Sequence, residues 1–105
     1  MSHKPLEHPL PRTYLGQEDL LLQLAEEASE LSASAAKLVR VIRGENPTPL
    51  KYDEALSNLL EEVTDVQVVL GETMSMEDWD RVANLRPAKL SRWIDRLEVM
   101  YAADN

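Results

Sequence analysis

Apolar residues recur at helical spacing along most of the chain. Between Tyr14 and Arg43 no proline intervenes, and Leu24, Ala28, Leu31, Ala35, Leu38 and Ile42 follow one another at alternating steps of four and three. That pattern predicts one stripe of a long helix. Arg40 and Arg43 suit the negative pole at its end, and Gly44, Asn46, Pro47 and Pro49 then break it. A second helix is predicted from Lys51 or Asp53 to Leu70, with Leu56, Leu59, Leu60, Val63, Val66 and Leu70 facing inward and Gly71 ending it. Ser75-Met76-Glu77-Asp78 sets a hydroxyl three residues ahead of a carboxylate, the start signal of a further helix. Pro87 either kinks that helix or opens a fourth, whose apolar side is Leu90, Trp93, Ile94, Leu97 and Met100.

Residues 1–13 carry three prolines and little periodicity, which predicts a flexible, extended arm ahead of a single domain spanning 14–105. No segment alternates as a strand does. The expected fold class is all-α, with three to four helices per chain. A helix of about 30 residues is about 45 Å long, whereas a compact domain of this size has a radius of gyration of about 13 Å. A partner subunit would cover the overhanging stripe, so the expected architecture is an oligomeric helical bundle, a homodimer or homotetramer.

Charge narrows the function. The net charge of −8 argues against a nucleic-acid polymer as partner, since such a surface works by displacing counterions from phosphate. With no cysteine, thiolate metal sites and disulfides are excluded. The lack of a membrane-length apolar run and of a basic-then-apolar leader makes no membrane association and a cytoplasmic location the expectation.

The informative acids form two pairs of one geometry, Glu27 and Glu30 on the first helix, Glu62 and Asp65 on the second. Residues three apart are separated by about 60° around a helix, so each pair points into one region. A solvated face would intersperse bases among its acids. Here residues 18–36 hold five acids and no base, and residues 52–80 hold nine acids and no base. Carboxylates crowded beside an apolar interface need either a cation or raised pKa values, and a hard divalent ion with oxygen ligands answers that need. Ordinary acids on a solvated face are the competing reading.

Glu26-Glu27-Ala28-Ser29-Glu30-Leu31, followed by Glu61-Glu62-Val63-Thr64-Asp65, resembles the paired E-E-x-x-E and E-x-x-D motifs of the MazG-like nucleoside triphosphate pyrophosphohydrolases, within the all-α NTP pyrophosphatase superfamily. The resemblance extends over roughly residues 15–97. It implies an oligomeric bundle, dependence on Mg²⁺ with Mn²⁺ as a substitute, and hydrolysis of a nucleoside triphosphate to monophosphate and pyrophosphate. It implies metal-ligand roles for Glu27, Glu30, Glu62 and Asp65. Glu26 matches the additional acid of the motif, and either Glu26 or Glu30 is the candidate catalytic proton acceptor.

Toward the C-terminus the charge reverses. Between Arg81 and Arg96, the bases Arg81, Arg86, Lys89, Arg92 and Arg96 stand against Asp95 alone, and Lys89, Arg92 and Arg96 share a helix face. Two of these three could hold a triphosphate, with ordinary salt bridging to the acidic helices as the alternative, and the resemblance singles out Lys89 and Arg92 as the candidate phosphate-binding residues. Tyr14, Trp79 and Trp93 could stack on a base or simply fill a core. His3 and His8, both in the arm, are the sole histidines, so neither a Glu-x-x-His di-iron site nor triad chemistry fits. The alternative function is a non-catalytic helical oligomer that binds a nucleotide or a protein partner.

Overall fold

The computed structural model describes residues 9–45 and 49–102. Among these residues there are four helices and no strand: α1 (Pro11–Tyr14), α2 (Gln17–Arg43), α3 (Tyr52–Thr73) and α4 (Met76–Ala102). The fold class is therefore all-α. The chain divides into two compact units, Met1–Thr73 with α1 to α3, and Met74–Asn105 with α4. None of the described helices is long and apolar enough to cross a membrane.

α1 occupies part of the span read as an extended arm. Pro11 takes the first helical position, where its missing N–H costs nothing, and the Thr13 hydroxyl accepts the Leu10 N–H at 3.2 Å. The turn is held to α3 by Glu72, which accepts the Arg12 backbone N–H at 3.1 Å while the Arg12 guanidinium lies 4.0 Å from the same oxygen. Residues 1–8 of the arm, with both histidines, lie outside the described residues.

The long helix expected from Tyr14 is interrupted at Leu15 and Gly16, both extended, and α2 starts at Gln17 with Glu18 and Asp19 at its positive pole. It ends as expected. Gly44 adopts φ 67° and ψ 19°, its N–H reaches the Val41 carbonyl at 3.3 Å, and the Glu45 N–H reaches the Arg40 carbonyl at 3.1 Å. These two bonds form a Schellman motif. Asn46 and Pro47 lie outside the described residues.

α3 packs along α2. It runs through Gly71 to Thr73 rather than ending at the glycine. In its last turn the Thr73 hydroxyl donates back to the Val69 carbonyl at 2.7 Å.

The face that α2 turns inward is displaced from the expected one. Leu20, Leu24, Glu27, Leu31, Ser34, Leu38 and Val41 are buried or half-buried, whereas Ala28, Ala35 and Ile42 are exposed. Both stripes share the three leucines 24, 31 and 38. The apolar arc of α2 is wider than one neighbouring helix can cover, and α3 takes the side that carries Glu27. On α3 the seam is Ala55, Leu59, Glu62, Val66, Val69 and Thr73, flanked by half-buried Leu56, Val63 and Leu70, while Leu60 is exposed. Steps of four and three on both helices are those of a coiled-coil seam. Among the described residues only Leu20 and Ala55 are fully buried.

α4 is one continuous helix with Pro87 inside it, so the proline opens no separate element. Its start is the expected capping box: the Ser75 Oγ accepts the Asp78 N–H at 3.1 Å and Asp78 Oδ2 accepts the Ser75 N–H at 3.0 Å. No residue of α4 is fully buried, and of its expected apolar side only Leu97 is half-buried.

Candidate metal centre

Glu27 and Glu62 each occupy a seam position where the surrounding pattern calls for an apolar residue. Packing α3 against α2 therefore forces their carboxyl groups together, and Glu30, one turn beyond Glu27, joins them from the exposed side. Oxygens of Glu27, Glu30 and Glu62 all lie within 4.8 Å of one another. Oε2 of Glu27 and Oε2 of Glu62 are shielded from solvent and accept no hydrogen bond from the described residues. The other Glu27 oxygen is engaged: the Gln23 side-chain amide, one turn earlier on α2, donates to Oε1 at 2.9 Å.

The electrostatics follow from this crowding. Glu62 has its pKa pushed above 4.5, first by burial, then by the fields of Glu30 and Asp65, by hydrogen bonding with Glu30 and by the field of Glu27. Among the described residues, the charged groups that act on it are Glu30, Asp65 and Glu27, all acids.

Three of the four expected ligands are thus brought together. Asp65 is exposed one turn after Glu62 and contributes field rather than an oxygen to the group. Glu26 is exposed on α2 and also stands outside the group. Lys89 and Arg92 are exposed on α4, in the second unit, where they share one side of the helix with Arg81 and Arg96. Arg86 falls instead among the apolar positions of α4. Tyr14, Trp79 and Trp93 are all exposed. Gln23 was not anticipated, although its spacing of four from Glu27 is the helical signature of a side-chain pair.

A group of carboxylate oxygens with neither sulfur nor imidazole suits a hard cation such as Mg²⁺ or Mn²⁺. Two shielded oxygens without donors fit such an ion, because an unpartnered buried carboxylate oxygen is costly unless a cation or proton meets it. A shallow depression of about 400 Å³ on the first turns of α3, lined by Leu50, Asp53, Glu54, Ser57 and Asn58, includes none of these acids. No family model, curated protein or solved structure matches the chain.

Proposed function

We propose that the protein is a Mg²⁺-dependent hydrolase that converts a nucleoside triphosphate to the monophosphate and pyrophosphate. The observation that carries this reading is the convergence of Glu27, Glu30 and Glu62, with two shielded oxygens that no donor among the described residues satisfies. The resemblance of the two acidic segments to MazG-like motifs supplies the substrate class.

In this reading Glu27 and Glu62 would hold the cation, and Asp65 adds negative field at the edge of the group. The bound ion would polarise phosphoryl oxygens and acidify a water molecule. Glu30 is exposed beside the pair and accepts the proton of the attacking water, a role for which Glu26 is less well placed because it stands outside the group. Water attacks the α-phosphorus, the bond to the bridging oxygen breaks, and pyrophosphate leaves. The basic side of α4, with Lys89 and Arg92, suits phosphate oxygens. The protein acts as a homo-oligomer.

Chromatography of a deoxynucleoside triphosphate digest tests the mechanism. Monophosphate should appear without a diphosphate intermediate, with orthophosphate released only after pyrophosphatase is added. Glu27→Gln should abolish turnover, and Arg92→Ala should mainly weaken substrate binding. Accumulating diphosphate would refute attack at the α-phosphorus.

A second reading, a non-catalytic oligomer that binds a nucleotide or a protein partner, draws on α4, where Trp93 is 60% exposed and Met100 likewise 60%. Nucleotide binding without product formation across a panel of triphosphates would favour it.

A further inference from the structure

Glu27 is constrained in a way that packing alone does not explain. A glutamate side chain ends in a broad, soft torsion, so apolar neighbours can fix where its carboxyl lies without fixing which oxygen faces which way. The Gln23 amide removes that freedom. It is half-buried like Glu27, and its 2.9 Å bond to Oε1 leaves Oε2 as the bare, shielded atom. The corresponding place on α3, four residues before Glu62, holds the shorter and exposed Asn58.

The chemistry of the donor matters as much as its position. A lysine at 23 could form the same contact, but its charge would neutralise Glu27 and oppose an incoming cation. An amide orients the carboxylate and leaves its negative charge intact. We infer that Gln23 is a positioning residue that turns Oε2 of Glu27 toward a divalent cation, an inference that rests on the metal centre proposed above. Groups that orient metal ligands typically change metal affinity by about 10–100-fold when removed.

The test is a Mn²⁺ titration of the full chain, followed by electron paramagnetic resonance without nucleotide, at a temperature where circular dichroism shows each variant fully folded. Gln23→Met keeps the volume and deletes the donor. Gln23→Asn keeps the amide but is one methylene too short to reach Glu27, and it serves if the Met variant fails to fold. Each should weaken Mn²⁺ binding about tenfold, whereas a merely structural amide would lower the metal-free melting temperature and leave the affinity of the folded protein unchanged. Unchanged affinity in a folded Gln23 variant, with binding still lost in Glu27→Gln, overturns the role of Gln23 and leaves the metal centre standing. Absence of Mn²⁺ binding by the wild type, or undiminished binding in Glu27→Gln, overturns the metal centre and this inference with it.

Discussion

Deprotonating Glu62 puts a negative charge on a half-buried carboxyl whose charged neighbours are Glu30, Asp65 and Glu27, which is why its pKa stands above 4.5. The folded chain therefore keeps this proton to higher pH than the unfolded chain does. The resulting stability is fully present below 4.5 and is lost as pH rises through the raised folded value. Asp78 has the opposite sign: hydrogen bonds from the Ser75 backbone and hydroxyl lower its pKa below 3.8, so its contribution is present above 3.8 and lost as pH falls through the lower folded value. With a chelator present, the melting temperature should decline as pH is raised from 4.5, and Glu62→Gln should flatten that decline. At neutral pH, Mg²⁺ should raise the melting temperature by mass action on the folded state, and less so in Glu62→Gln. Identical pH and Mg²⁺ responses in the variant would remove Glu62 from the centre.

At the scale of elements, the two glycines that flank helical segments in the sequence have unlike roles. Gly44 stands at φ 67° just past α2, whereas Gly71 lies inside α3 with nothing within 4 Å of where a Cβ would be. Gly71→Ala should stabilise the chain by about 0.5–1 kcal/mol, since only the unfolded state loses freedom. Gly44→Ala should destabilise by about 1 kcal/mol, the cost of a left-handed alanine. Urea midpoints measure both, and equal shifts would contradict the structure. Composition alone made the two look alike as helix stops; the apolar Val68, Val69 and Leu70 gave no indication that the helix would continue three residues past Leu70. Helix identity, the end of α2 and the Ser75 start were legible because caps and breakers act locally. The inward face of α2 was not, because two stripes share Leu24, Leu31 and Leu38, and the position of α3 selects between them. The proximity of Glu27, Glu30 and Glu62 was readable as matching angles on two helices. Asp65 shared that angular pattern yet stays exposed, since angle does not determine depth.

For the whole molecule, the decisive quantity is apolar surface left facing water. On the first unit Leu22 is 62% exposed, Ile42 64% and Val68 58%, and in the second unit Val99 is 74% exposed. A hairpin of two helices has no interior of its own, and further helices are needed to cover both sides of its seam. Light scattering should therefore give a mass of at least twice the 11.9 kDa chain. A monodisperse monomer would contradict homo-oligomer formation. The placing of Glu27 and Glu62 in the seam has a consequence for how the chain balances robustness against use. Leucine at both positions would complete the apolar register and relieve the repulsion, giving a hairpin tougher than the natural one and chemically silent. On the proposal that Glu27 and Glu62 hold a cation, these two positions are where the fold gives up durability for a task that requires charge.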